Sequence, residues 1–552
     1  MNPHTICLFP SPNEENATPS VVSALAELKQ VGGGILRFEK GDYHFYEDGT
    51  ERIFYAVSNN SAGEKKIVFS LRDMDGITVD GNGSRFIIHG RIFPFAVDRC
   101  QNLTIKNIYF DRDVSPHISL RVRNVTKEGF GLEIDRKKVS FYVEDGSLSF
   151  IRPWGEVSGK TSVLSLHSAD RIRVRYLLTG DCSARYDHLP TAFMWADATE
   201  TEWGVNLTCR SVDGAQPCLY EEGEHLSLFL DGGRENDLLF FTECESVRIE
   251  NVTVRQAMGM GIIAQLCRNI TVKGLRTEYD ESVGGVTFTA DAMHFVNCDG
   301  DLEISDCHVT HSEDDILNVH GIYTLLDSAD KDSLSVKLMH HEQRGFCPYR
   351  HGDLLRLIDQ SDMGIVGKFR VDSYAIEGKE KDRIRLMGAW EHGDFPSLAG
   401  KIILVENPSR MPNLHLHHNT FFHFPHLRIS GGGNILVEHN HLEQCKSAAL
   451  LMDLAVYWYE SGRIRNLVFR KNKLVDCNAL GVPNGFIQIG VSGFENQDAP
   501  KIHERIEISD NEFIGVKNRA ITAGGVKELI LRDNKSDSEN GLSICIDGKD
   551  LP

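Results

Sequence analysis

The chain has 552 residues, 41% of them hydrophobic, and a formal net charge of −20 from 79 acidic against 59 basic side chains. That length allows a large core with added domains, and no apolar run is long enough for a transmembrane helix. The acidic balance, spread without any long single-sign block, argues against nucleic acid and anionic membranes as partners, and makes a neutral sugar easier to accept than a polyanionic polysaccharide.

The start, Met1-Asn2-Pro3-His4-Thr5, has neither a basic n-region nor an apolar h-region. The expectation is a soluble protein without a signal peptide in this chain, either cytoplasmic or the mature form of an exported enzyme. One short amphipathic segment, Val21–Leu28, precedes Gly32-Gly33-Gly34 and the strand-like Ile35-Leu36-Arg37-Phe38. It reads as a helical cap that shields the first strands from pairing with other chains.

An apolar-x-apolar-x-polar unit then recurs: Ile77-x-Val79-x-Gly81, Leu103-x-Ile105-x-Asn107, Val247-x-Ile249-x-Asn251, Ile270-x-Val272-x-Gly274 and Leu302-x-Ile304-x-Asp306. It returns as Leu414-x-Leu416-x-His418-Asn419, Ile435-x-Val437-x-His439-Asn440, Leu467-x-Phe469-x-Lys471-Asn472, Ile506-x-Ile508-x-Asp510-Asn511 and Leu529-x-Leu531-x-Asp533-Asn534. The asparagines from 419 to 534 are 21, 32, 39 and 23 residues apart, a coil of about twenty-odd residues that tolerates loop insertions. Period-two alternation within each unit buries every second side chain, and stacking coils at about 4.8 Å supplies the ladder bonds that a lone rung lacks. Cys100, Cys244, Cys267 and Cys298 fall three or four residues before their rungs and read as a buried column. Thirteen cysteines with no CxxC pattern indicate neither zinc nor a disulfide framework.

The unit is interrupted at 111–239 and at 321–411, where short alternating runs such as Ser119–Arg123, Arg171–Arg175 and Leu354–Leu357 suggest small antiparallel barrels. The expected fold is therefore all-β, a right-handed parallel β-helix with two inserted antiparallel β-barrel-like domains. Its divisions are 1–110 (cap and first coils), 111–239 (first insertion), 240–320 (middle coils), 321–411 (second insertion) and 412–552 (last coils).

The middle coils carry the chemistry. Asp291 precedes the run Ser312-Glu313-Asp314-Asp315 by about one coil, 23 residues separating it from Asp314. Carboxylates held close together force at least one pKa upward, and a hydrolase needs that unequal pair. Aligning Asp291-Ala292-Met293-His294-Phe295-Val296 with Asp315-Ile316-Leu317-Asn318-Val319-His320 sets Asp315 over Asp291 and stacks Met293 and Phe295 on Leu317 and Val319. Strict alternation would send Asp314 to the other face, so all three share a groove only if the chain bends between turn and strand.

Thr289-Ala290-Asp291-Ala292-Met293-His294-Phe295, followed by Ser312 to Gly321 with Glu313-Asp314-Asp315-Ile316-Leu317-Asn318-Val319-His320 between, resembles glycoside hydrolase family 110. These are bacterial α-1,3-galactosidases that remove terminal galactose from blood-group-B-type glycans. The likeness covers nearly the whole chain, including cap, β-helix and inserted barrels. It implies exo-acting, inverting hydrolysis of a terminal non-reducing α-1,3-linked galactose, with Asp314 as general acid and Asp291 with Asp315 as the general-base pair. No cofactor and no metal are implied. Arg255, Gln265, His294, Asn318 and His320 are candidate sugar contacts, and Trp195, Trp203, Trp390 and Trp458 are candidate platforms. The implied partner is a glycan, and a homodimer is compatible with the sequence.

Two other readings stand beside this one. A polygalacturonase-like β-helix hydrolase would cleave pectin but would call for basic clamps near the acids. A non-catalytic carbohydrate-binding β-helix would need no acid cluster. His415, His417, His418, His423 and His426 resemble a metal set only in number, because alternation points His415 and His417 outward on one face without a carboxylate fixed beside them.

Overall fold

The computed structural model describes residues 3–11, 14–152, 155–158, 163–166, 175–178, 193–211, 222–223, 225–229, 234–280, 285–377, 382–391, 398, 400–479, 484–495, 498–539 and 541–551. Two long sheets, of twenty and fourteen strands, wrap one continuous interior and form a parallel β-helix. The fourteen-stranded sheet is parallel from Ala62–Arg72 through Phe93–Asp98, Leu239–Thr242, Ile262–Gln265, Met293–Val296, Leu317–Ile322, Leu427–Ile429, Leu450–Met452 and onward to Ile544–Ile546. The recurring unit forms the other sheet, with Leu302 on Ile270, Leu414 on Leu302 and Ile435 on Leu414.

Sharp turns between faces come from left-handed residues. His418, His439, Lys471, Asp510 and Asp533 all have φ between 53° and 56°, a region short polar residues enter more readily than most. The asparagine after each one turns inward. Asn440 Nδ2 donates to Leu416 O at 2.9 Å and to Asn472 Oδ1 at 3.0 Å, while Asn440 Oδ1 accepts from Asn419 Nδ2 at 2.9 Å. The series continues through Asn511 and Asn534, so each buried amide satisfies its neighbours. Cys100, Cys244, Cys267 and Cys298 are buried and free, with the Cys244 N–H 3.4 Å from Cys267 Sγ.

The cap is a helix, Thr18–Gln30, longer than the Val21–Leu28 segment that the sequence marks, and it buries Val21, Ala24, Leu25 and Leu28. Among the described residues, no helix is long and apolar enough to cross a membrane.

The chain leaves the helix twice. In the first excursion, Gly129–Glu133, His117–Arg123, Phe193–Thr201 and Gly204–Ser211 belong to a seven-stranded sheet beside a separate three-stranded one, Ser140–Glu144, Ser147–Arg152 and Gly155–Ser158. Of the run Arg171–Arg175, positions 171–174 lie outside the described residues. The second excursion is a closed six-stranded barrel of Thr324–Ala329, Ser333–Lys337, Arg383–Trp390, Gly364–Glu377, Leu354–Asp359 and Ile403–Glu406. Its interior merges with the outer face of the fourteen-stranded sheet, where Leu334, Val336, Leu355 and Leu357 share a cluster with Phe93, Phe240, Ile263 and Val296. Met293 and Phe295 point into the helix and their neighbours His294 and Val296 point outward, so the barrel buries outward residues that an open coil would leave wet.

Candidate active site

The register the sequence requires is present. His294 pairs with Asn318 and Phe295 with Val319, and the Ala292 N–H donates to Asp315 O at 2.9 Å. Phe288 and Ser312 form a parallel bridge, after which both coils bend before their strands resume at Met293 and Leu317. That bend brings Asp314 beside Asp315 rather than across the sheet. One carboxylate oxygen from each of Asp291, Asp314 and Asp315 lies within 4.8 Å of the others.

The three carboxylates have unlike surroundings. Asp291, 5% exposed, places Oδ2 2.7 Å from His294 Nδ1. Burial, then the charges of Asp314 and Asp315, push its pKa well above the usual carboxylate range. Asp314 is about 40% exposed and accepts a 2.6 Å bond from Arg234 Nη1. Partial loss of water would raise its pKa, but the Arg234 charge outweighs that and holds it below the ordinary value. Asp315 is buried, with His426 Nε2 2.9 Å from Oδ1 and Arg428 Nε 3.4 Å from Oδ2. Arg428 donates to Asp453 at 2.6 Å and lies 4.0 Å from Glu460, a buried carboxyl that also accepts from Asn59 Nδ2 at 3.1 Å.

The insertions hold this cluster from outside. His117, at the start of the first excursion, is 3.9 Å from Glu313, and Arg234 stands where the chain returns, so both ends of the excursion grip the acidic turn. The barrel contributes the turn His341–Gln343, whose Glu342 is pushed up to about 7 by burial, opposed by Arg234 and reinforced by Asp314. Gln343 Nε2 donates to Trp458 O at 3.4 Å, and the Trp458 ring lies 4.6 Å from that of His340. Trp458 and Tyr457 remain 40% and 55% exposed, and Tyr457 feels Asp453, Arg428 and Glu460. Among the described tryptophan side chains, Trp458 is the one packed against the His340–Gln343 turn. Trp390 packs on Phe369 in the barrel, Trp203 lies against Gly131 in the first excursion, and the Trp195 side chain is outside the described residues.

Of the five candidate sugar contacts, Arg255 and Gln265 are held by other side chains and by backbone, and His294, Asn318 and His320 are buried. Arg255 is bound by Asp111 at 3.2 Å and by Asp280, two partners that tie neighbouring coils together. Gln265 is fully engaged, accepting from Ser58 N at 3.0 Å and donating to Ala56 O and Thr242 Oγ1. His294, Asn318 and His320 lie at the site and are buried, His294 on Asp291, His320 on His294 and Asn318 on Glu460. The histidine group divides. The His415 and His417 rings are tilted with centroids 4.0 Å apart and, against the expectation from alternation, each has a carboxylate beside it, Glu438 at 3.2 Å and Glu303 at 3.4 Å; His418 stacks on His439, His423 turns to His311, and His426 reaches Asp315. The sequence reading overlooked Arg234, Arg428, Asp453, Glu460 and Asn59. Its available signal was charge at coil-stacked positions, since Arg428 pairs directly with Asn318 in the ladder.

No known family profile matches the chain. It is 29% identical to "Alpha-1,3-galactosidase B" of Phocaeicola vulgatus, covering 95% of this chain and 89% of that protein. It is 26% identical to "Alpha-1,3-galactosidase A" of Shewanella woodyi, covering 94% and 83%. Among solved structures, a polygalacturonase from Erwinia carotovora aligns over 99% of this chain and 97% of its own at 7% identity and a TM-score of 0.38. A mannuronan C-5 epimerase module of Azotobacter vinelandii aligns over 96% and 92% at 8% identity and a TM-score of 0.39.

Proposed function

We propose that the protein is a glycoside hydrolase of the α-galactosidase type, removing terminal non-reducing α-1,3-linked galactose with inversion, and that Asp291, Asp314 and Asp315 carry the reaction. The observation that carries this reading is a cluster of three carboxylates with one member driven toward protonation and another held ionised by Arg234. One protonated and one ionised carboxylate are what protonating a leaving oxygen and deprotonating a water require, and the resting polarity, Asp291 toward protonation and Asp314 toward ionisation, is the reverse of the base and acid roles that the family resemblance implies. Full-length similarity to proteins named α-1,3-galactosidase supports the sugar and the linkage. Oxygens of all three groups lie within 4.8 Å of one another, below the ranges of about 5–5.5 Å for retention and about 6.5–9.5 Å for inversion, so inversion rests on the family resemblance.

Arg234 from the first excursion and the barrel turn with Glu342 both stand at Asp314, which fits a chain end better than a long polymer. Pectin is disfavoured because the arginines nearest the site, Arg234 and Arg428, are engaged by Asp314, Asp315 and Asp453. The test is proton NMR during early turnover of a blood-group-B-type trisaccharide, a linear α-1,3-digalactoside and polygalacturonate. Release of β-galactose is expected from an α-galactoside. Initial α-galactose would overturn inversion, and cleavage confined to polygalacturonate would overturn the substrate.

A further inference from the structure

Beneath Asp291 runs a chain of three short hydrogen bonds that the reaction as described does not use. Asp291 Oδ2 is 2.7 Å from His294 Nδ1, His294 Nε2 is 2.9 Å from His320 Nε2, and His320 Nδ1 is 2.7 Å from the carbonyl oxygen of Gly321. Asp291 is 5% exposed and each imidazole 1%. A carbonyl only accepts, so His320 Nδ1 carries a hydrogen. The bond between the two Nε2 atoms needs one hydrogen and no more, and so does the bond to Asp291. The chain therefore holds three protons, one more than a carboxylate with two neutral imidazoles would hold.

Three placements of the extra proton are possible, on Asp291, on His294 or on His320. The last two separate charge in a buried site and put an anion on Asp291, within 4.8 Å of Asp314 and Asp315. Placing it on Asp291 leaves both imidazoles neutral: His320 with hydrogen on Nδ1, His294 with hydrogen on Nε2, and Asp291 donating to His294 Nδ1. The charged groups facing the chain are Asp314, Asp315, Arg234 and Arg428 at the Asp291 end, and Glu460 and Arg428 at the His320 end. Glu460 is 3.6 Å from His320 Nε2, too far to compete with His294, and it already accepts from Asn59. The chain ends on a backbone carbonyl, so it stores a proton and conducts none to solvent.

We propose that Asp291, His294 and His320 form a proton store, with the two histidines as positioning residues that keep the reaction's single mobile proton on the Asp291 oxygen between turnovers. The mechanistic consequence rests on the inverting reading above. There, the water's proton ends on the base and the acid's proton leaves on the departing hydroxyl. With Asp291 in the base pair and Asp314 as acid, the state after hydrolysis is Asp291 protonated and Asp314 ionised, which is the state of the free site. One transfer from an Asp291 oxygen to an Asp314 oxygen then readies the next turnover, with no proton gained from or lost to solvent. Arg234 is the group that must let go of Asp314 for that transfer.

The test combines nitrogen-15 NMR of labelled histidine with infrared spectroscopy of the whole protein. Expected are His294 and His320 as neutral rings of opposite tautomer from about pH 5 to about pH 8, and a deuterium-sensitive carboxylic-acid band lost in Asp291→Asn but kept in Asp314→Asn. His294→Gln is expected to lower kcat/KM on the natural glycan at least about tenfold and to move the alkaline limb of its pH profile to lower pH. A doubly protonated His294 at neutral pH, or an acid band that vanishes with Asp314→Asn instead, would overturn the store. If the spectroscopic pattern holds while no α-galactoside is cleaved, the store stands and the substrate reading fails.

Discussion

Two stretches of this β-helix stack polar side chains at coil spacing and obtain opposite results. In the last coils, Asn419, Asn440, Asn472 and Asn511, all buried, and the half-buried Asn534 form an amide ladder in which each residue both donates and accepts. In the middle coils, Asp291 and Asp315 stack in the same manner, yet a carboxylate only accepts. A stack of amides closes on itself. A stack of carboxylates must bring in protons or cations, and this one has both, the histidine chain under Asp291 and the arginines beside Asp314 and Asp315. The difference between the structural column and the one proposed to be reactive is thus a difference in hydrogen-bond inventory at equal geometry.

Removing the reactive column's carboxylates sharpens that contrast most. Asp291→Asn, Asp314→Asn and Asp315→Asn are each expected to lower turnover of the natural glycan by about 10²–10⁴-fold. On an activated aryl galactoside, which leaves without a proton, Asp314→Asn is expected to recover while the other two stay impaired. Recovery of Asp291→Asn or Asp315→Asn instead would exchange the acid and base roles.

Taking away the imported cation comes next. Arg428→Met leaves Asp315, Asp453 and Glu460 facing one another without their shared guanidinium. A loss of about 3–5 kcal/mol is expected by chemical denaturation. A neutral result would show that protonation of Glu460, already favoured by burial, absorbs the change. In the structural column, Asn472→Ala is expected to cost about 1–3 kcal/mol for each buried partner left unpaired, with kcat unchanged. A matching loss of kcat would mean that the two columns are coupled.

Acid should divide the regions as well. Burial lowers His294, His320 and His503 to about 4. A depressed folded value stabilises above the unfolded pKa near 6.5, and that stability is lost as pH falls toward the folded value. Each such imidazole therefore contributes up to about 3 kcal/mol that disappears between about pH 6.5 and about pH 4. Asp291 has the opposite sign. Its raised value destabilises the fold as pH rises above the unfolded carboxylate range, so Asp291→Asn should gain more in Tm at pH 7 than at pH 4. The smallest expected effect is that of chelation, which should leave activity unchanged. Loss on EDTA with recovery on adding a divalent ion would make the carboxylate stack a cation site.

The columns themselves were legible in sequence because each lies within consecutive coils. Period-two alternation and the polar residue before each inward asparagine mark the rungs, and Asp291 stands about one coil from Asp314 and Asp315. What surrounds the acids was not legible. Arg234 reaches Asp314 across 80 residues, Arg428 reaches Asp315 across 113, and Glu460 reaches Asn318 across 142. Coil spacing carries no information over insertions of that length. Gln265 likewise meets the Ser58 backbone across 207 residues, whereas the Arg255 partner Asp280 lies only 25 residues on.

Gly321 lies just before the barrel strands begin, and its carbonyl is also where the histidine chain ends. A Cβ there would meet Met411 Cε at 2.4 Å and Ser461 Oγ at 2.5 Å, while Gly321 and Ile322 pair with Ser461 and Glu460. The graft point of the accessory module is therefore also a fixed point of the proposed acid–base machinery. Shuffling another barrel onto this scaffold, in the laboratory or by recombination, should preserve turnover only when the junction from His320 to Ile322 is carried over intact. Loops farther out on the barrel are the freer ground for changing which glycan enters.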